Sequence, residues 1–274
     1  MTTEPVRAGS DWLTLREPAD AAARDVGLVE QIRAGLRPTG ALEVHDLGCG
    51  TGSMARWLAP QLPGPQRWAL YDRDAELLPL AAGNAPQRAA DGADVSIRTH
   101  RLDITRLDRG RLAGAALVTA SALLDMLTAV ELDRLVASCV APGCPVLLTL
   151  TVTGRVDLDP PDPVDLMVGD AFDAHQRRDR GGGQLLGPDA VQAAADGFRR
   201  RGRDVVVRPS PWRLGPDQTG LVSAWFEGWW AAACEQRPDL AEVAPSYARR
   251  RLDEAAGGRL SVTVHHEDLL VLPT

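Results

Sequence analysis

The sequence predicts an α/β protein built on a doubly wound, mostly parallel sheet. Three observations carry that expectation. Short apolar, β-branched segments alternate with helical patterns from residue 41 to residue 153, the order that a parallel sheet with helices on both faces requires. The first apolar segment runs straight into Gly48-Cys49-Gly50-Thr51-Gly52, a turn that opens a helix. The composition, 45% hydrophobic and 24% charged over 274 residues, is that of a folded chain able to bury a large core without disulfides or a structural metal.

The first element expected is a helix from Pro18 to Leu36, with Pro18 at a first helical position and Ala22, Val26, Val29 and Leu36 on one face. Pro38-Thr39-Gly40 breaks it. Ala41 to Leu47 reads as a buried strand. A helix follows from Thr51 or Ser53, with Met54, Trp57 and Leu58 inward, until Pro60 and Pro63-Gly64 end it. Arg67 to Tyr71 is a second strand closed by Asp72-Arg73-Asp74, Ala75 to Ala82 a helix, Val95 to Leu102 a third strand ending at Asp103, and Ala116 to Ala120 a fourth. Thr128 and Glu131 form a capping box ahead of Leu132, Leu135 and Val136. Pro145 to Val152 is the fifth strand.

Beyond it, Arg155 to Gly187 is rich in Pro, Asp, Arg and Gly and reads as a long irregular connection of the kind that carries function. Pro188 to Arg200 is a helix with Val191, Ala194, Ala195 and Phe198 inward, and Arg203 to Arg208 a strand. Asp217 to Arg237 is an aromatic helix and Ala241 to Ala256 another, and a last strand crosses Leu260 to Leu272. There is no internal repeat and no clean domain boundary.

Charge and cysteine usage exclude several functions. The formal charge is −7, unsuited to non-specific nucleic-acid binding. All the basic side chains are arginine, which rules out a Schiff-base or P-loop lysine. Cys49, Cys139, Cys144 and Cys234 form no C-x-x-C pair and read as scattered thiols of a reduced compartment, with no metal site. No apolar run is long enough for a membrane span, and residues 1–15 lack the apolar stretch of a secretory signal, so a cytoplasmic protein is expected.

The glycine turn lets a ligand approach the main chain, and Asp72, 20 residues after Gly52, falls at the end of the next strand, where a carboxylate takes ribose hydroxyls. A dinucleotide fingerprint would be G-x-G-x-x-G. Here the spacing is G-x-G-x-G, with Ser53 in the place of the third glycine. Asp46 just before the turn repels phosphate but suits an aminoacyl ammonium; it also reads as a turn carboxylate.

Val44 to Gly52 resembles motif I of the class I S-adenosylmethionine-dependent methyltransferases, Tyr71-Asp72-Arg73-Asp74 their acidic second-strand motif, and Leu102-Asp103-Ile104 their third-strand motif, while Leu117 to Leu124 sits at the fourth. The resemblance covers residues 41 to 153. It implies a Rossmann-like, seven-stranded sheet with the last strand antiparallel, and S-adenosyl-L-methionine as cofactor. It implies that Gly48, Gly50 and Gly52 lie under the methionine part, that Asp72 holds the ribose, and that Asp103 with Ile104 frames the adenine. Asp46, Cys49, Arg73, Ala120 and Ser121 are further candidates for the cofactor site. Family members usually join the sixth and seventh strands by a short hairpin; here residues 209–259 intervene.

These readings give one domain: an N-terminal cap helix over residues 1–40, a cofactor-binding core over 41–153, and cap insertions over 154–187 and 209–258. The expected reaction is direct methyl transfer to a small organic acceptor, with no nucleic-acid or membrane partner, by a monomer or homodimer. The Asn/Asp-Pro-Pro-Tyr motif of amide and base methylation is absent from 119–125. His175 is the first candidate for a base, in a segment from Asp170 to Asp179 whose other reading is a charged surface. Arg177 and Arg178 are candidates for an acceptor carboxylate. Leu124, Trp212, Trp225 and Trp229 are candidates for the acceptor pocket, although a tryptophan stripe also reads as core packing. Arg24 is a candidate for the cofactor carboxylate; His45, beside the glycine turn, reads either as a contact to that carboxylate or as an interior histidine, and His265 and His266 read as structural. Two rivals stay open: a nicotinamide-dependent oxidoreductase, and a non-catalytic cofactor-binding protein of the same fold.

Overall fold

The computed structural model describes residues 9–36 and 40–273; the expected breaker at Pro38-Thr39 and the first eight residues lie outside them. The elements are α1 (Ser10–Ala23), α2 (Val26–Gly35), β1 (Leu42–Leu47), α3 (Ser53–Leu58), β2 (Gln66–Asp72), α4 (Leu77–Gly83), β3 (Val95–Arg101), β4 (Leu117–Ser121), α5 (Ala129–Val140), β5 (Val146–Asp159), α6 (Val164–Gln176), α7 (Ala190–Arg199), β6 (Asp204–Pro209), β7 (Trp212–Leu214), α8 (Thr219–Gln236), α9 (Leu240–Val243), α10 (Tyr247–Ala256) and β8 (Ser261–Leu272).

The strands form one sheet in the order β3-β2-β1-β4-β5-β8-β6, with β7 paired to β8. The pairs among β1 to β5 are parallel, and β8 runs antiparallel to β5, β6 and β7. The sheet has eight strands rather than seven because Trp212 to Leu214, in the long stretch before β8, pairs with Val264 to Val262. Alternation explains the two faces. Leu117, Leu147 and Leu270 pack with Leu28, Ile32, Met54 and Leu58 of α2 and α3. Their neighbours Val118, Val146, Leu148 and Leu269 pack with Leu132, Leu135, Ala194 and Phe198 of α5 and α7. The connections on either side of β1 lead to opposite edges of the sheet, so the switch point lies between β1 and β4, at their carboxyl ends.

Three expectations are corrected. The N-terminal helix is two helices, with Pro18 inside α1 and a break at Arg24-Asp25, where the Asp25 side chain accepts from the Leu28 amide and caps α2. The break rotates the second helix, so Ala22 and Val26 are exposed while Leu28, Val29 and Ile32 are buried. Strand β5 does not stop at Val152: it passes two register shifts and stays paired with β8 to Asp159↔Ser261, and the segment expected to be irregular contains α6. The last helical stretch is two helices separated at Ala244-Pro245-Ser246, since Pro245 has no amide to continue the first.

A third apolar cluster joins α6, α8, α9 and α10 to β7 and the far halves of β5 and β8. Arg251, 1% exposed, ties it together through a bidentate pair with Asp165 (2.8 and 2.6 Å), a bond to Glu254 (2.9 Å) and one to the Pro160 carbonyl. Tyr247 adds an O–H bond to Asp165 at 2.6 Å.

Candidate functional site

The turn after β1 is held by backbone contacts that its glycines permit. Gly52 has φ +85°, and a Cβ there would lie 3.2 Å from the Ala81 Cα; at Gly48, φ +68°, it would meet the Leu123 side chain at 3.1 Å. The Cys49 amide donates to the Tyr71 carbonyl at 2.9 Å, locking the turn to the tip of β2. Asp72 then clamps it: one carboxylate oxygen accepts from the Gly50 amide at 2.8 Å, the other from the Asp74 amide at 2.9 Å. At the tip of β3, Asp103 Oδ1 accepts from the amide and hydroxyl of Thr105, at 3.0 and 2.7 Å, while its Oδ2 lies 3.8 Å from Arg106 Nε.

Beneath the turn lie two buried charges. Asp46 is 1% exposed; its Oδ1 accepts from Thr119 Oγ1 at 2.7 Å and its Oδ2 has no partner among the described residues. Burial pushes its carboxyl up to about 7, against the opposing pull of the Thr119 hydrogen bond and Arg24. Arg24, placed by the break between α1 and α2, donates from Nη2 to Ser53 Oγ (3.2 Å) and Ser121 Oγ (3.1 Å) and lies 5.3 Å from the Trp57 ring centre. Its Nε and Nη1 have no partner among the described residues. An unsatisfied buried carboxylate oxygen and two unsatisfied guanidinium N–H groups, both beside a glycine turn, fit a zwitterionic group that brings an ammonium and a carboxylate.

The sequence candidate Arg24 is buried behind Ser53 and Ser121 and lines no cavity wall, whereas the turn, Asp46, Ser53, Ser121, Asp72 and Asp103 line one cavity of about 780 Å³. It runs across the strand tips from Leu102, Asp103 and Ile104 after β3, past Gly48, Gly50, Asp72 and Arg73, to Ser121 after β4, and on to Leu150, Trp212, Val264 and His266 at β5, β7 and β8. Helices α1, α6 and α8 close its far end with Trp12, Phe172, Trp225 and Trp229. The floor there is shaped by a bulge in β5: Leu150 takes φ +56°, and the buried Asp268 holds it by accepting the Leu150 amide (2.8 Å), Ser210 Oγ (2.6 Å) and the Asp25 amide (2.9 Å).

Of the residues singled out from sequence, Asp46, Gly48, Cys49, Gly50, Asp72, Arg73, Asp103, Ile104, Ser121, Trp212, Trp225 and Trp229 line this cavity. Gly52 and Ala120 do not: Gly52 packs against α4, and Ala120 is buried in the core behind the turn. Leu124 is likewise buried in that core rather than facing ligand space. His175 and Arg178 are also outside the cavity lining. Arg178 donates to His175 Nδ1 at 2.8 Å, which leaves the ring proton on Nε2, and Nε2 meets Glu235 at 3.0 Å. With both nitrogens engaged, and with burial and Arg178 lowering its pKa, His175 has no lone pair for a substrate proton. Arg177 is spent on Asp189, at 2.8 and 3.0 Å.

The cavity instead presents charged groups that pattern reading passed over: Asp125 just after β4, and Arg180 on the loop before the triple glycine. Burial raises the Asp125 pKa, opposed by Arg16 and Arg180. Asp125 lies in the fourth-strand segment already marked, which is the one signal that pointed to it. Trp12, Arg16 and Gln176 also line the cavity and carry no motif. Among the described residues no cluster of His, Cys, Asp or Glu could hold a metal, and no helix is long and apolar enough to cross a membrane.

No family model and no curated protein matches the sequence. Solved structures do match. A mycolic acid cyclopropane synthase complexed with SAH and CTAB aligns over 95% of this chain and 94% of its own at TM-score 0.51 and 12% identity. A cyclopropane synthase from Mycobacterium tuberculosis aligns over 96% and 94% at TM-score 0.51 and 12% identity. A SAM-dependent methyltransferase from Geobacter sulfurreducens in complex with S-adenosyl-L-homocysteine aligns over the whole of both chains at 16% identity and TM-score 0.42. The fold is the one these two synthases share, Rossmann-like with a mostly parallel sheet, which in this chain has eight strands.

Proposed function

We propose that this protein is an enzyme that transfers a methyl group from S-adenosyl-L-methionine to a small organic acceptor held at the tryptophan-lined end of the same cavity. One observation carries the reading: the unsatisfied Asp46 oxygen, the Gly48–Gly52 cradle, Asp72 and Asp103 lie in order along one wall of a cavity whose opposite end is aromatic. The cofactor, when bound, supplies a methyl group already activated on a sulfonium.

The chain's part is to bind, orient and exclude water. Asp46 accepts from the amino-acid ammonium, and Ser53 and Ser121, backed by the buried Arg24, face its carboxylate. Asp72 takes the ribose hydroxyls with the second lone pairs of its oxygens, and Asp103 Oδ2, which accepts neither of the Thr105 bonds, receives the adenine amino group. Positioning and desolvation provide much of the rate for such a transfer. Where the acceptor atom carries a proton, Asp125, which lines the cavity and whose pKa burial raises, takes it in place of His175. The segments 154–187 and 209–258 act as the cap, contributing Phe172, Trp212, Trp225 and Trp229 to the acceptor end. The oxidoreductase rival is disfavoured by the buried Asp46, which a pyrophosphate would have to face. Calorimetry with S-adenosylmethionine and S-adenosylhomocysteine tests the reading first; micromolar or tighter binding of both is expected, and no binding of either would overturn it. Mass spectrometry for methylated products over a metabolite panel then distinguishes an enzyme from a binding protein.

A further inference from the structure

The far end of the cavity carries more information than its aromatic walls. Trp225 and Trp229 stack with ring centres 5.3 Å apart and planes 21° from parallel. In the lining of the same cavity Trp12 and Trp212 lie 6.3 Å apart at 56°, and Trp212 lies 5.4 Å from the His266 ring. Slabs of this kind favour a flat guest over a branched aliphatic one.

Polar atoms in these walls are unsatisfied. Trp229 is 2% exposed, lines the cavity, and its indole N–H has no hydrogen-bond partner among the described residues. Gln176, one helical turn beyond Phe172 on α6, lines the cavity with a buried Oε1 that has no partner among them either. His266, 4% exposed, leaves Nδ1 in the same condition. Buried polar groups are nearly always paired, so a donor and acceptors left open around one space describe what fills it.

Charged groups also stand in these walls. Arg16 and Asp20 neutralise each other through paired bonds of 3.0 Å, and Asp20 also accepts the Trp212 indole N–H at 3.0 Å. Arg16 lies 4.7 Å from the Trp212 ring centre. Burial and Arg16 push His266 down to about 3, so it is neutral. The charges packed against Trp212 are thus committed to one another, while Asp125 and Arg180 also line the cavity.

We infer that this end of the cavity is a built site for a flat, fused-ring molecule that offers a hydrogen-bond acceptor to Trp229 Nε1 and a donor to Gln176 Oε1. The inference rests on the methyl-transfer reading for the guest's role as acceptor, though not for its binding. It restricts the substrate class to heteroaromatic or quinone-like ring compounds that carry both a hydrogen-bond donor and an acceptor, and excludes acyl chains.

Three probes of matched size test it: 4-quinolone, which is neutral with a carbonyl and an N–H; naphthalene, which has neither; and 1-naphthoate, whose carboxylate accepts and does not donate. Binding is read by calorimetry and by quenching of tryptophan fluorescence, with and without saturating S-adenosylhomocysteine, on the wild type and on Trp229→Phe and Gln176→Leu. The expected results are that 4-quinolone binds more tightly than the other two, that either substitution weakens it roughly tenfold, and that naphthalene moves less than about twofold. Gln176→Leu carries the same comparison should Trp229→Phe fail to fold. Absence of 4-quinolone binding, equal weakening of 4-quinolone and naphthalene by both substitutions, or tighter binding of 1-naphthoate overturns the inference. Binding of S-adenosylhomocysteine without ring binding overturns it alone. Ring binding without S-adenosylhomocysteine binding supports it and overturns the methyl-transfer reading.

Discussion

Asp46→Asn separates the needs of the ligand from those of the fold. The carboxyl is buried with one oxygen unpartnered, and its folded-state value of about 7 stands above an ordinary 3.8. The folded protein therefore keeps a proton that the unfolded chain releases. The contribution of this group to stability falls as pH rises from about 4 and levels off above about 7. Between about pH 5 and about pH 8 the ionisation penalty grows by roughly 2–3 kcal/mol. Asparagine retains an acceptor for Thr119 Oγ1 and has no charge to bury. The free energy of unfolding of the variant relative to the wild type, from urea titrations, should therefore rise by that amount between the two pH values. The same substitution should weaken S-adenosylhomocysteine by roughly tenfold or more, because a charge-assisted bond to the ammonium is lost. In the wild type, calorimetry near pH 7 in buffers of different ionisation enthalpy should show proton release on binding, as the ligand selects the ionised carboxylate. Parallel stability curves for the two proteins from about pH 5 to about pH 8 would refute the buried-carboxyl argument. Unchanged affinity would refute its role at the ligand.

Other substitutions probe the remaining supports. Asp268→Ala removes the shared acceptor of the Leu150 amide, Ser210 and the Asp25 amide, and should cost about 3 kcal/mol or more by urea unfolding. Gly52→Ala places a side chain at φ +85° against the Ala81 backbone; a loss of about 1–2 kcal/mol in stability and weaker S-adenosylhomocysteine binding in calorimetry are expected. Asp72→Asn should weaken that ligand roughly tenfold, with a smaller effect on 2′,3′-dideoxy analogues of it. His175→Gln should leave the affinities for S-adenosylhomocysteine and for 4-quinolone within about twofold and lower stability by about 1 kcal/mol or less, since the ring bonds only Arg178 and Glu235; a large loss of binding would return His175 to the site.

Sequence reading reached furthest where function is tied to local chain chemistry. Glycines at positive φ, a carboxylate one strand later and another at the next strand end are separated by fixed numbers of residues, because each strand and helix has its own length and period. The same locality made the Thr128–Glu131 capping box and the inward face of α7 legible. It misled at Pro18, which suits a helix start but sits inside α1, where the next break is decided by Asp25 capping α2 and donating its amide to Asp268.

What the sequence alone determined is the parallel α/β core and the wall of the cavity built from its strand tips. Tertiary structure decided the rest. Arg24 comes under the turn only because α1 and α2 are separate. Strand β5 runs to Asp159 only because β8 offers partners through the bulge that Asp268 holds. Among Trp225, Trp229 and Trp230 on an almost uniformly apolar helix, periodicity does not choose a face; packing against α6 and α10 turns the first two toward the cavity. His175 is disarmed by Arg178 and by Glu235, 60 residues away in the chain. Each of these outcomes depends on a partner distant in sequence, and local spacing carries no information about which distant group arrives.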